Sequence, residues 1–224
     1  MCNHVARRPV PSGQMPLEEI HLLEVVTAAL FIIVGYLAGS IPSGFLIARL
    51  YGVDIQKTGS GNIGATNVLR SVGVFPAIVV ALLDPVKGYL ATLLPVLFGA
   101  DHWVIALTAL ATVLGNNFNI FLKLRGGKGI ATSLGAFLAV DPLVTVLAMA
   151  VGLVTIILGR YVSLGSLVGM ASAPLFVIAS GSYPTSELLL ATALMLLAYY
   201  RHWTNIQRLA KGNERRLGEK EPRV

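Results

Sequence analysis

The chain has 224 residues, of which 55% are hydrophobic and 12% carry a charge, and its net charge is +6 at neutral pH. A soluble domain has about twice that share of charged residues, so the composition excludes an ordinary soluble enzyme and indicates an integral membrane protein. The one cysteine, Cys2, excludes an internal disulfide and a Cys-x-x-Cys metal or redox site.

Seven apolar runs follow a largely polar N-terminal stretch, residues 1–19, which we expect to be a flexible tail. Because a full membrane crossing needs about 20 apolar residues, each run predicts a transmembrane helix, and the fourth predicts a short one. No tandem repeat or linker divides the chain, so we expect one helical domain at residues 20–203 and a basic cytosolic tail at residues 204–224. The runs are Val25–Leu50, Val74–Leu97, Trp103–Leu122, Ile130–Val140, Leu143–Leu158, Leu164–Ile178 and Leu188–Tyr200.

The number of crossings depends on residues 130–158. At about 1.5 Å per residue, this segment is too long for one straight span and too short for two full ones. Asp141-Pro142 interrupts it, because proline disfavours helix in the preceding residue. With two crossings, every strongly basic loop lies on one side, and the opposite loops contain Asp101, Asp141 and Glu187 without Lys or Arg. The positive-inside rule therefore favours seven spans, with the N-terminus outside and the C-terminus in the cytosol.

The first loop on the basic side contains TGSGNIGATNVLR, residues 58–70, with glycines in the spacing G-x-G-x-x-G. Dinucleotide binding by this pattern requires a preceding strand and an acidic residue about 20 positions later. Asp84 has that spacing, but it lies within an apolar run and is not available to a ribose, so we reject a dinucleotide site.

The same loop is suited to holding a phosphate group. Glycines such as Gly64 allow backbone N–H groups to converge on an anion, and a helix that begins near Thr66 would direct its positive end to the same place. Arg70 would add a guanidinium that fits phosphate. A plain polar turn is the alternative, and it requires fewer donors than this loop contains. The side-chain donors are Ser60, Asn62, Thr66 and Asn67.

Three further polar segments lie on the basic side: KLRGGKGIATS at residues 123–133, RYVSLGS at 160–166 and RHWTNIQRLAKGNE at 201–214. In the first, Lys128 is the candidate site cation, whereas Lys123 and Arg125 fit the ordinary enrichment of basic residues beside a membrane. In the last, Arg201, His202, Asn205 and Arg208 have helical spacing. A single interfacial histidine is more often non-catalytic than catalytic, and the rest of this basic amphipathic tail predicts contact with anionic lipids.

Asp84 and Lys87 lie three residues apart within the second apolar run. Unpaired, each charge would cost roughly 3 kcal/mol at the middle of a bilayer. An (i, i+3) pair partly neutralises both charges, so we expect them to pair. A structural pair facing the bundle and a role in the site are equally compatible with this spacing.

Four segments in this order resemble the signature segments of the bacterial acyl-phosphate-dependent glycerol-3-phosphate acyltransferases. They are GSIPSGFLIARLYGVDIQKTGSGNIGATNVLR, FLKLRGGKGIATSLG, RYVSLGS and RHWTNIQRLAKGNE, and the resemblance covers residues 36–214. It implies seven membrane helices and transfer of a fatty acyl group from acyl phosphate to the 1-hydroxyl of glycerol 3-phosphate, giving lysophosphatidic acid and phosphate. It also implies a multi-pass protein of the bacterial cytoplasmic membrane with its active site at the cytosolic face.

The resemblance also implies roles for individual residues. A phosphate-holding loop corresponds to Ser60, Asn62, Gly64, Thr66 and Asn67, the basic residues to Arg70 and Lys128, and the last two polar segments to Ser166, His202 and Asn205. The chain departs from the family where Asn116 replaces the usual histidine and Asn119 the usual proline. An essential base at position 116 is therefore excluded. We expect no metal, no cofactor and no nucleic-acid partner, and contact with membrane lipids.

The residues fit chemistry in which cations and donors hold two phosphates close together and no covalent protein nucleophile is required. His202 or the phosphate of the substrate could accept the hydroxyl proton, and we favour the substrate. The alternative function is a transporter of organic phosphates. Transporters usually place their site near the middle of the membrane and build it from repeated halves, whereas these polar segments share one face and no repeat is visible.

Overall fold

The structure, a computed structural model, describes residues 16–219. The predicted N-terminal tail up to residue 15 and the last five residues of the predicted C-terminal tail lie outside this range. Within it the chain forms helices and no strand, which confirms the all-helical class. The α-helices are α1 (Leu17–Gly39), α2 (Ser43–Leu50), α3 (Ala65–Ser71), α4 (Val74–Leu97), α5 (His102–Asn117), α6 (Ile130–Leu138), α7 (Pro142–Gly159), α8 (Val162–Ala179), α9 (Thr185–Arg201) and α10 (Trp203–Ala210), with a short 3-10 helix at Ile120–Leu122.

Each of the seven apolar runs is helical, with α1 and α2 sharing the first. Among the described residues, five segments are long and apolar enough to cross a membrane, and α6 and α9 are shorter, with 9 and 17 residues. Residues 17–19 of the predicted N-terminal tail form the start of α1, and residues 204–210 of the predicted C-terminal tail belong to α10. The five segments are Leu17–Leu50, Val74–Leu97, His102–Leu122, Pro142–Gly159 and Val162–Ala179.

The predicted break at Asp141-Pro142 is confirmed. Asp141 caps α7, since its carboxylate accepts a hydrogen bond of 2.9 Å from the backbone N–H of Val144. Pro142 fits the first helical position because an N–H there would have no partner within the helix. The preceding helix α6 is only about 14 Å long at 1.5 Å per residue, about half the thickness of a hydrocarbon core of about 30 Å, which agrees with the predicted short helix.

Glycines bring α6 into backbone contact with α4. A Cβ at Gly135 would overlap the carbonyl of Pro85, and one at Gly88 would overlap the carbonyl of Thr132. Helices inside a membrane gain stability from such close packing, because surrounding lipid is as apolar as their side chains. The contact fixes α6, and with it the loop that precedes Ile130, against the longer helix.

A buried polar cluster connects α4 with its neighbours. Lys87 Nζ lies 2.8 Å from a carboxylate oxygen of Asp84, which also accepts a hydrogen bond from Ser43. Lys87 donates further to the carbonyl oxygen of Ile41 and to the side-chain oxygen of Asn116, each at 2.9 Å. The predicted ion pair is confirmed, and Asn116 supplies an acceptor for the buried ammonium group.

Candidate active site

A cavity of about 340 Å³ lies where α3, α6 and α8 begin and α7 and α9 end. Its volume falls within the range of small-molecule sites. Every residue that the sequence predicted for the site lines it: Ser60, Asn62, Gly64, Thr66, Asn67, Arg70, Lys128, Ser166, His202 and Asn205. The fold therefore brings four separate segments of the chain to one place.

The glycine-rich loop is held in shape by Asn67, which is 3% exposed. Its side-chain nitrogen donates to the carbonyl oxygens of Thr58 and Asn62 at 3.0 and 2.8 Å, and its oxygen accepts from the N–H of Ser60 at 3.0 Å. Gly59 has a positive φ of 63°, and a Cβ there would overlap the Asn67 side chain. Asn67 therefore uses its side-chain donors to hold the loop in shape, while it also lines the cavity.

Asn62 and Gly64 are also joined within this loop. The N–H of Gly64 donates to the side-chain oxygen of Asn62 at 2.9 Å, so this N–H is already paired. Gly64 precedes the seven-residue helix α3, which carries Thr66 near its start and Arg70 near its end. The loop and α3 together place an amide, a hydroxyl and a guanidinium at one wall of the cavity.

The second glycine-rich loop is held from two sides. The N–H of Gly127 donates to the carbonyl oxygen of Asn116 at 2.9 Å, at the end of α5. The guanidinium of Arg201 donates to the carbonyl oxygens of Gly126 and Gly127 at 2.9–3.1 Å. Arg201 therefore holds the turn that presents Lys128, a role that its sequence spacing beside His202 did not indicate.

Lys128 is the first member of a chain of hydrogen bonds. Its Nζ donates to the side-chain oxygen of Asn205 at 2.6 Å, and the side-chain nitrogen of Asn205 donates to Glu214 at 2.6 Å. Glu214 also accepts from Ser163 at 2.8 Å and from Arg208 at 2.7 Å. This buried carboxylate therefore orients Asn205, and through it Lys128. Sequence reasoning missed Glu214 as a site residue, because nothing distinguished it from the other glutamates of a basic tail.

Two other predicted residues contribute hydrogen-bonding groups to the wall. His202 is 3% exposed, and its Nδ1 lies 2.8 Å from the carbonyl oxygen of Ala198. A carbonyl only accepts, so Nδ1 carries the hydrogen and Nε2 is the acceptor of the neutral ring. Ser166 donates to the carbonyl oxygen of Val162 at 2.9 Å, which leaves its hydroxyl oxygen as a further acceptor.

Comparison with known proteins assigns this arrangement to a family. The sequence matches the glycerol-3-phosphate acyltransferase family over residues 29–212. A glycerol-3-phosphate acyltransferase from Thermus thermophilus is 48% identical, with an alignment that covers 87% of this chain and 98% of that protein. A glycerol-3-phosphate acyltransferase from Aquifex aeolicus is 45% identical, with an alignment that covers 84% of this chain and 99% of that protein. This chain belongs to the glycerol-3-phosphate acyltransferase family.

Solved structures of the family have the same fold. PlsY (YgiH), an integral membrane glycerol 3-phosphate acyltransferase, has been solved in a glycerol 3-phosphate form that superimposes with a TM-score of 0.82. Its lysophosphatidic acid form superimposes with a TM-score of 0.80. Both PlsY chains are 44% identical to this chain, and each superposition covers 86% of this chain and 96% of the PlsY chain. The protein is therefore an integral membrane acyltransferase and not a transporter.

The charge of Lys128 is sensitive to its surroundings in this acyltransferase. Burial lowers the pKa of Lys128 to about 8, because leaving water disfavours the ammonium form. Glu214 raises that pKa, whereas the nearby guanidinium groups of Arg208, Arg201 and Arg70 lower it. Burial disfavours the charged form of Glu214, but hydrogen bonds from Arg208, Asn205 and Ser163 outweigh it and lower the pKa of Glu214. Glu214 thus stays ionised and helps to keep Lys128 charged.

We predict that kcat/KM for acyl transfer falls as the pH rises through about 8, because Lys128 loses its positive charge above its pKa. Substitution Glu214→Gln removes the charge that raises this pKa, so the alkaline fall should move to lower pH. The measurement is a pH profile of kcat/KM, which reports ionisation in the free enzyme. Glu219→Gln, an exposed carboxylate on the same tail, is the control and should leave the profile in place. An alkaline fall that Glu214→Gln does not shift, in folded protein, contradicts this assignment.

Proposed function

We propose that this protein transfers a fatty acyl group from acyl phosphate to the 1-hydroxyl of glycerol 3-phosphate, giving lysophosphatidic acid and inorganic phosphate. This is the first acylation step of phospholipid synthesis. The observation that carries the proposal is the convergence of a glycine-rich loop, Arg70 and Lys128 on a cavity that also has an apolar wall. The glycerol 3-phosphate and lysophosphatidic acid forms of the related PlsY support the proposed acceptor and product.

The proposed reaction requires the protein to position two phosphates and to stabilise negative charge. In an acyl phosphate the phosphate is already a good leaving group. The hydroxyl oxygen of glycerol 3-phosphate attacks the acyl carbonyl carbon, the bond from that carbon to the phosphate oxygen breaks, and its electron pair leaves with inorganic phosphate. Arg70 and Lys128 hold the two phosphates close together, and their positive charges stabilise the negative charge that develops.

The hydroxyl proton goes to a phosphate of the substrates in this scheme. Burial, and then the charge of Lys128, lower the pKa of His202 to about 4, so the ring is neutral and a weak base near pH 7. A phosphate monoester has its second pKa at about 6, closer to the working pH and therefore better suited to general base catalysis. His202 instead accepts a hydrogen bond through Nε2 and orients the hydroxyl group.

We also propose seven membrane spans, with the site on the cytosolic side of the bacterial cytoplasmic membrane and the C-terminus in the cytosol. The basic residues near the cavity, including Arg70, Lys128 and Arg208, agree with the positive-inside rule. In this topology α6 enters the membrane from the cytosolic side as a short span, and α7 returns to that side from its far end.

The first prediction from this proposal concerns topology. Single cysteines at the exposed positions Asp101 and Glu219, in a Cys2→Ser background, should react from opposite sides of sealed membranes with an impermeant thiol reagent. Asp101 lies in the loop between α4 and α5, which we place outside, and Glu219 follows α10 in the cytosol. Labelling of both from the same side would exclude seven spans.

A second prediction concerns the two cations. Arg70→Ala and Lys128→Ala should each remove a charged contact that strengthens in the transition state, worth about 3 kcal/mol or roughly a hundredfold in kcat/KM. Lys123→Ala is the matched control, since Lys123 is an exposed lysine near Lys128 outside the cavity, and it should cost far less. Initial rates on protein with unchanged thermal unfolding provide the comparison. Equal losses in all three variants would remove Arg70 and Lys128 from the site.

The third prediction concerns the donor. A bare phosphate fits the compact glycine-rich loop, whereas coenzyme A needs a stacking surface and an extended cleft for its nucleotide. Purified protein should therefore use acyl phosphate and glycerol 3-phosphate without added metal or nucleotide, and inorganic phosphate should inhibit by occupying the loop. The measurement is the rate with acyl phosphate, acyl-CoA and acyl carrier protein, each with and without chelator. Comparable rates with acyl-CoA, or loss of activity in chelator, would refute the proposed donor.

A further inference from the structure

A second, smaller cavity of about 20 Å³ lies inside the bundle formed by α6, α7, α8 and α9. That volume is enough for one or two groups the size of a water molecule. Its walls are mainly apolar, and the hydroxyl of Thr145 is already paired with the carbonyl oxygen of Asp141 at 2.7 Å. An apolar cavity of this kind stays dry and favours a hydrocarbon group. We refer to it as the inner cavity.

The inner cavity and the candidate active site meet at one side chain, Leu134. On α6, Ile130 lines the active site, Phe137 lines the inner cavity and Leu134 lines both. Spacings of four and three residues place these side chains on one face of the helix, so they form a continuous apolar path. Leu134 is also the one described residue of the inner cavity that is not fully buried.

The depth of the inner cavity matches the length of a membrane fatty acyl chain. Ile156 of α7 lines the active site, and Ala148 and Thr145 of the same helix line the inner cavity. At 1.5 Å per residue these positions are separated by about 12–17 Å along the helix axis. The acyl chains of one leaflet span half of a hydrocarbon core that is about 30 Å thick, or about 15 Å. A chain whose carbonyl carbon lies beside Lys128 therefore ends near the inner cavity.

We propose that the inner cavity receives the terminal methyl end of the donor's acyl chain, and that Leu134 and the walls of this cavity set the acyl-chain length that the enzyme prefers. The proposal rests on the proposed acyl transfer and adds a specificity-determining site to it. Lipid tails are as apolar as the cavity, so its selectivity depends on fit. A chain that is too short leaves part of the cavity empty, and one that is too long must displace packed side chains.

The main test is the ratio of kcat/KM for octadecanoyl phosphate to that for hexadecanoyl phosphate. Leu134→Ala enlarges the junction and should raise this ratio about tenfold, the scale on which an apolar pocket distinguishes methylene groups. Ala191→Val narrows the inner cavity and should lower the ratio. Leu138→Ala, the same substitution one turn further along α6 at a position outside both cavities, should leave it unchanged. An unchanged ratio in active Leu134→Ala protein would overturn the proposal.

A second measurement needs no variant of the protein. Hexadecanoyl phosphate with a diazirine on its terminal carbon is bound to the wild-type protein without glycerol 3-phosphate, irradiated, and located by mass spectrometry. The label is expected on Phe137 and Met170, which line the inner cavity. Labelling confined to exposed apolar side chains such as Leu138 and Leu143 would place the chain end in the lipid and refute the inner cavity as its seat.

The experiments distinguish a failure of the proposed acyl donor from a failure of the proposed role of the inner cavity. If the wild-type protein uses acyl-CoA and not acyl phosphate, the proposed donor is wrong, and the same ratio measured with two acyl-CoA lengths still tests the inner cavity. If acyl phosphate is used and neither the ratio nor the label responds as expected, the donor stands and the inner cavity is a packing void.

Discussion

The backbone contact between α4 and α6 is the constraint on which the rest of the site depends. Gly88 and Gly135 leave no space for a side chain between these helices, so α6 has a single position beside the longer helix. The turn before Ile130 is thereby fixed, and Lys128 with it. The same helix α4 contains the Asp84–Lys87 pair, whose lysine reaches the end of α5 through Asn116. Close helix packing and the buried ion pair therefore both fix the position of α4 relative to α5 and α6.

In the loops at this end of the bundle, side chains form hydrogen bonds with backbone groups that would otherwise need water as a partner. A buried carbonyl or N–H without a partner is costly, and the cost is greatest beside a hydrocarbon core. Asn67 fills the centre of the first loop, and Arg201 spans two carbonyls of the second. Asn119 donates to the carbonyl oxygen of Ser40 at 2.6 Å, and its side-chain oxygen caps the 3-10 helix. Side chains thus replace water as the partners that shape both loops.

Most of the charged residues that line the described cavity are cationic. Arg70, Lys128, Arg208 and Arg215 line it, while Asp84 is already paired with Lys87 and Glu214 is the remaining carboxylate among the described lining residues. Burial, and then the neighbouring guanidinium groups, disfavour the ammonium form of Lys128, and in the proposed reaction a bound phosphate would offset this positive charge.

Local patterns in the sequence were sufficient to predict the apolar helices and most of the residues of the site. The apolar runs, the break at Asp141-Pro142 and the glycine–cation loops depend on residues that are neighbours along the chain, and all ten predicted site residues line one cavity. The tertiary structure decided what several of them do. Lys128 meets Asn205 across 77 positions, and Ser163 meets Glu214 across 51. Composition and spacing do not predict such partners, because a hydrogen bond between distant segments forms only where packing brings its donor and acceptor within about 3 Å. For that reason Asn67, Arg201 and Glu214 acquire their roles from the fold alone.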